Sequence, residues 1–282
     1  MASNAGNGSS VTQVASSRRS LSQVQDRIGT SRGTSDLSQR IHFCDQWASD
    51  YDQDVAILDY RAPRLAMDCL ASVFPFSPQE ALLLGVACGT RLVAVELQKQ
   101  EFCNLHGVEG SKNMLELAKR QGLYQQLSLL SLGQEALPAP SDHYDAAMVG
   151  GALSDGQVPY STVSELLPVT NKEPPSLTKS KTLQYRAPIL SPKSPSVGGQ
   201  HLLHEAFPGS LVCLSTRANP SNLTYKEALE TELARLEQAG RRKRVLVRTV
   251  DQWERATSEQ EAAGSSRNIH GFISGVIYLY CK

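Results

Sequence analysis

Two features of this chain have the residue types and spacing for cofactor chemistry. The first is the run Ala87-Cys88-Gly89-Thr90, which interrupts "ALLLGVACGTRLVAVELQ" between an apolar burst and an amphipathic stretch. Small residues there let a ligand approach the backbone, and a helix starting just beyond would offer it free N–H groups. The second is Glu109, twenty positions after Gly89, at the end of the next apolar run, "NLHGVEG". A carboxylate at that separation reads as a bidentate acceptor for ribose hydroxyls. An ordinary tight turn and a solvated glutamate form the plainer alternative. The ordered alternation of the surrounding elements weighs against it.

That alternation must position the pair. The runs "ALLLGVA", "NLHGVEG", "LSLLSLG", "YDAAMVGGALS" and "SLVCLSTR" read as short buried strands. Between or after them lie helical stretches: "RLVAVELQKQ", "SKNMLELAKRQG" with Ser111 as N-cap and Gly122 past its end, and "NLTYKEALETELARLEQAG" with Tyr225, Leu229, Leu233 and Leu236 on one face. Strands alternating with helices imply a parallel sheet covered on both faces, with ligands at the carboxyl ends of its strands. "RVLVRTV" and "FISGVIYLYCK" have no strong helical pattern between them and read as an antiparallel hairpin at one edge. Ahead of the sheet, "LSQRIHFCDQWASDYDQDV" reads as one helix and a turn, and "DYRAPRLAMDCLASVF" as a second helix starting near Pro63.

Residues 1–38 are rich in Ser, Gly, Asn and Thr and read as a disordered tail. A transit peptide is the sharper reading of Arg18, Arg19, Arg27 and Arg32, but the apolar face of Val11, Val14, Leu21 and Ile28 is weak. The proline- and serine-rich stretch at about 170–207 reads as a flexible insertion within a domain spanning residues 39–282.

The whole chain has 282 residues, with 28 Lys plus Arg against 28 Asp plus Glu. A chain without net charge has no global attraction for nucleic acid or an anionic membrane. No apolar run reaches the length of a membrane span. The six cysteines form no C-x-x-C pair, which argues against a zinc site or a disulfide scaffold. The expectation is an intracellular monomer, cytoplasmic or nuclear rather than mitochondrial, with reduced thiols.

Two familiar ligands use a small-residue turn followed by an acid: a dinucleotide and S-adenosylmethionine. The dinucleotide fingerprint G-x-G-x-x-G is absent, since the frame reads Ala87-x-Gly89-x-Arg91. With "LLLGVACGTRLVA", "LHGVEGSKNMLELA", "GQEALP", "YDAAMVGGALS" and "PGSLVCLSTR" in order, the chain resembles the class I S-adenosylmethionine-dependent methyltransferases over roughly residues 37–282. The resemblance implies an α/β, Rossmann-like, seven-stranded fold, mostly parallel with an antiparallel C-terminal hairpin. It implies S-adenosylmethionine as cofactor, S-adenosylhomocysteine as product and a small-molecule or protein methyl acceptor. By the same resemblance Ala87, Cys88, Gly89 and Thr90 face the methionine end, and Glu109 holds the ribose. Gly110 and Met114 lie beside the adenosine, and Gln134, Glu135 and Ala136 border the adenine. Gly150 to Leu153 lie near the transferred methyl, and Tyr51 closes over the cofactor, where an aromatic face suits a sulfonium. Helix packing is the alternative for Tyr51 and Trp47.

Two residues depart from the family pattern. Gly85 stands where an Asp is usual, and Arg91 where a Gly is usual. Arg91 brings a cation near the sulfonium unless its guanidinium turns outward or takes the methionine carboxylate. Losing one charge-assisted contact costs on the order of 1.5–3 kcal/mol, roughly ten- to over a hundredfold in affinity. A fold retained as a binding or scaffold module is therefore the rival to the enzyme. His42, His143 and Asp155 are the candidate bases, each read first as a surface residue. His201, His204 and Glu205 could be half a metal site but fall in the insertion. Arg241 to Arg244 follow a helix end, where cations are favoured without any ligand.

Overall fold

The computed structural model describes residues 19–31, 36–74, 77–170, 209–258, 261 and 271–282. Seven strands form one sheet: β1 (Leu82–Val86), β2 (Asn104–Glu109), β3 (Gln126–Leu129), β4 (Ala146–Leu153), β5 (Leu211–Arg217), β6 (Lys243–Arg255) and β7 (Phe272–Cys281). Their order is β3-β2-β1-β4-β5-β7-β6. The first five run parallel, and β7 lies antiparallel between β5 and β6. Chain order reverses between β1 and β4, which opens a crevice at the carboxyl ends of these strands.

Alternate residues of each strand face opposite layers. Leu84 and Val86 join a core with Leu229, Leu233 and Leu236 of α7 (Leu223–Gln238). Leu83 joins a second core with Met67 and Leu70 of α3 (Ala62–Val73) and Leu97 of α4 (Leu92–Lys99). Pro63 sits in the first turn of α3, where its missing N–H is harmless. The helix α5 (Lys112–Arg120) starts where the Ser111 hydroxyl accepts from Met114 N at 3.2 Å. It ends before Gly122, whose φ of +65° suits glycine. A short α6 (Leu166–Val169) precedes the insertion.

The N-terminal expectation needs correction. Residues expected to be unstructured form a helix, α1 (Leu21–Ser31), with Val24 and Ile28 buried against Leu58. Its anchors are long-range: Arg19 and Arg27 meet Asp50 at 2.6 and 2.7 Å, and both reach the buried Asp54. Gln25 also donates to Ala256 O at 2.8 Å. A local hydrophobic period reveals none of these partners. The following stretch is one continuous helix, α2 (Leu37–Ile57), rather than a helix and a turn. Asp36 caps it by accepting from Ser38 N at 2.9 Å.

Residues 1–18 and 32–35 of the expected tail and 171–207 of the expected insertion lie outside the described residues, as do His201, His204 and Glu205. Among the described residues no helix is long and apolar enough to cross a membrane.

Candidate functional site

A cavity of about 170 Å³ opens at the crevice, floored by the strand ends and covered by α1 and α2. The turn after β1 builds one wall. Ala87 and Gly89 adopt φ of +50° and +58°, which turns the backbone sharply and makes a methyl at Ala87 mildly strained. Glu109, at the end of β2, is buried in the wall. Its carboxylate accepts from Gly89 N at 2.8 Å and Ser111 N at 2.9 Å. Burial raises its pKa, and the N–H bonds from Ser111, Gly89 and Gly110 oppose that rise. The turn and the acid therefore share one hydrogen-bonded unit.

Of the residues singled out from the sequence, Tyr51, Ala87, Gly89, Glu109, Gly110, Met114 and Gly150 line the cavity. Tyr51 stands edge-on to Trp47 with ring centres 4.8 Å apart, and burial raises its phenol pKa. Cys88 and Thr90 belong to the turn but are not in the lining. The Cys88 thiol is buried beside Gly107 and Tyr124, and desolvation raises its pKa. The Thr90 hydroxyl donates to Asp52 of α2. Gln134, Glu135 and Ala136 lie exposed on a turn that carries the chain away from the cavity, whereas Leu130, Ser131 and Leu132 line it.

Arg91 does not line the cavity. It adopts φ of +125°, and its guanidinium pairs with Asp52 at 2.6 Å. The cation expected to repel a sulfonium instead ties the turn to the covering helix. Asp45, two helical turns before Asp52, accepts from Ser111 Oγ at 2.6 Å and Asn113 N at 3.0 Å. Two aspartates on one face of α2 thus dock on the N-terminal ends of α4 and α5, where negative charge is favoured. Gly85 leaves room for a side chain: a Cβ there would lie 3.5 Å from the Tyr124 hydroxyl.

The opposite end of the cavity holds residues that the motifs did not suggest: Tyr60, Gln157, Arg217 and Glu254. Arg217 Nε meets Glu254 Oε1 at 2.6 Å. Gly151 has φ of +83°, and a Cβ there would fall 1.6 Å from the Tyr60 hydroxyl, so only glycine admits this tyrosine. The sequence signal available for Arg217 was its place at the carboxyl end of a strand. Glu254 and Tyr60 had none.

None of the candidate bases lines the cavity. His42 is exposed and pairs with Gln46, His143 lies edge-on to Tyr144 just before β4, and Asp155 is exposed. Of the basic run, Arg242 is buried, with its pKa lowered to about 9 by desolvation, and Arg244 pairs with Glu237 at 2.8 Å. All six cysteines are free thiols.

A seven-stranded sheet in this order, with one antiparallel strand inserted and a cavity at the switch point, defines a class I S-adenosylmethionine-dependent methyltransferase fold. The family model for a methyltransferase domain matches residues 84–173. The chain is 50% identical over 221 residues to human methyltransferase-like protein 27, covering 78% of this chain and 75% of that protein. It belongs to that methyltransferase family. Among solved structures it is similar to a SAM-dependent methyltransferase from Leishmania major (TM-score 0.51, 10% identity, 91% and 90% of the two chains). It also resembles a chain of the complex between the Haloferax volcanii Trm112 methyltransferase activator and a methyltransferase (TM-score 0.50, 12% identity, 84% and 96%).

Proposed function

We propose that the chain binds S-adenosylmethionine in the covered cavity and methylates a small molecule enclosed beside it. The carrying observation is the unit formed by Gly89 N and the Glu109 carboxylate at the cavity wall. The residues present fit such a cofactor. The turn exposes backbone at Ala87 and Gly89, and Gly110 adds a further small residue to the wall beside Leu130 and Ile41. Glu109 offers a carboxylate to ribose hydroxyls, while Met114, Leu130 and Leu132 give an apolar berth for a flat base. Tyr51 offers an aromatic face. Gln134, Glu135, Ala136, Cys88 and Thr90 are not among the residues that line the cavity, and Cys88 and Thr90 serve by shaping the turn.

When bound, S-adenosylmethionine supplies an activated methyl group, so positioning carries much of the catalysis. This chain's residues do the positioning. Asp45 and Asp52 hold α2 over the cavity, and the Arg19 and Arg27 ion pairs hold α1 beside α2. The cover excludes water and limits the acceptor to a small molecule. A single chain builds the whole enclosure, so the reading requires no second copy.

The scaffold alternative rested on Gly85 and Arg91. With Arg91 spent on Asp52, its charge no longer opposes a sulfonium in the cavity, which favours the enzyme. Calorimetric titration with S-adenosylmethionine and S-adenosylhomocysteine tests the reading. Micromolar binding is expected, and no heat at high micromolar ligand would overturn it.

A further inference from the structure

Resting on the methyl-transfer reading, we propose that the β5–β6 end of the cavity is an acceptor subsite for a carboxylate on a small apolar body, gripped by Arg217.

Arg217 ends β5 and lines the cavity. Its Nε forms an ion pair with Glu254 Oε1 at 2.6 Å, and the Glu254 side chain is 3% exposed. A guanidinium carries five N–H donors in a rigid fork. A partner at Nε leaves the terminal nitrogens available, in the geometry that matches a planar oxyanion. Among the described residues, none accepts a hydrogen bond from those nitrogens. Glu254 therefore acts as the orienting partner that fixes the fork. Glu261 also lies near Arg217, but its oxygens are engaged by Asn219, Ser221 and Thr257.

Two more donors share this end. Tyr51 and Tyr60 line the cavity, and neither hydroxyl bonds to a described residue. Gly151 admits the Tyr60 hydroxyl to the end of β4. One guanidinium and two phenols make this end rich in donors, which favours a ligand carrying acceptor oxygens. An amine would leave these donors unmatched.

The remaining walls here are apolar: Ile28 of α1, with Val55 and Leu58 at the end of α2. They lie beside the polar end because the turn after α2 runs along β6. Arg255 N donates to Leu58 O at 2.7 Å, and Arg61 N to Trp253 O at 2.9 Å. An acid with an apolar body places its carboxylate on Arg217 and its body under α1.

The test titrates phenylacetate and hexanoate, against phenylacetamide and hexylamine, into the full chain with and without saturating S-adenosylhomocysteine. Both carboxylates are expected to bind at least roughly tenfold more tightly than the amide or amine. Arg217→Lys keeps a charge opposite Glu254 but loses the fork. It is expected to weaken both carboxylates roughly tenfold while S-adenosylhomocysteine affinity stays within about twofold. Tyr60→Phe, which removes one hydroxyl and no charge, should weaken them about threefold. No carboxylate binding at millimolar concentration, equal binding of the amide, or an unchanged carboxylate affinity in Arg217→Lys would overturn the proposal. Failure of S-adenosylhomocysteine alone to bind would instead overturn the methyl-transfer reading, because the nucleotide-free arm still tests Arg217.

Discussion

The two ends of the cavity are made of different material. At the β1–β2 end, backbone does most of the work: Gly89 N and Ser111 N converge on Glu109, all within the 23 consecutive positions from Gly89 to Ser111. At the β5–β6 end, side chains do it: Tyr51, Tyr60, Arg217 and Glu254 come from three separate parts of the chain. The first end is a rigid frame suited to a ligand that never varies. The second can be rewritten by single substitutions, as the acceptor subsite proposed above would allow.

The largest effect that could break this contrast is at Glu109. Glu109→Ala leaves the N–H groups of Gly89 and Ser111 without their partner and removes the carboxylate proposed to hold the ribose. S-adenosylmethionine affinity should fall roughly a hundredfold, or about 3 kcal/mol, by calorimetry. A loss below about threefold would mean that the turn alone holds the cofactor.

Next comes the β5–β6 end. Gly151→Ala forces a methyl onto φ of +83° and into the Tyr60 hydroxyl. It should destabilise the fold by about 1–2 kcal/mol in urea titrations, because an L-residue is strained there and Tyr60 must swing aside. Cofactor affinity should change little. A parallel loss of S-adenosylmethionine binding would show that the two ends are not independent.

A smaller effect separates strain from tethering in the turn. Arg91→Ala loses the Asp52 pair and keeps an L-residue at φ of +125°. Arg91→Gly loses the pair but relaxes the backbone. The glycine variant should be the more stable of the two by about 1 kcal/mol in thermal melts. Equal stabilities would mean that the turn carries no strain at Arg91.

The smallest effect concerns the cover. Hydrogen bonds and charge from Arg19 and Arg27 hold the Asp50 carboxyl below its usual pKa. An acid with a depressed pKa in the fold contributes stability above its unfolded pKa of about 3.9, and loses it as pH falls through the lower folded value. Asp50 is 29% exposed, so screening keeps the contribution below about 1 kcal/mol. The protection of α1 amides, taken relative to intrinsic exchange at the same pH, should fall on acidification below about pH 4, before the strands β1, β4 and β5 are affected. Simultaneous opening of α1 and the sheet would show that α1 is part of the core rather than a cover.

The strand and helix pattern was legible because parallel strands buried on both faces are short apolar runs, and α7 shows its burial period openly. The β1 turn and Glu109 were legible because both ends of the interaction sit on adjacent strands at a fixed separation. The helix α1 was missed because the groups that hold it, the Asp50 and Asp54 carboxylates and the Leu58 side chain, lie elsewhere in the chain and the short Val24–Ile28 repeat does not reveal them. The β5–β6 end was missed for the same reason: Arg217 gains meaning only beside Glu254, 37 positions later, and Tyr60 only because Gly151 has no side chain. Arg91 was noticed for its identity, but its partner lay in a different helix, so the charge was expected at the ligand rather than at Asp52.

The sequence by itself determined the α/β alternation, the small-residue turn and the acid that answers it, because each depends on local period or fixed spacing. Tertiary structure alone decided where Arg91 points, what covers the cavity and which donors meet at its far end. Those outcomes depend on contacts between side chains distant in the chain, and no local pattern records which partner a charged or polar group will find once the chain has folded.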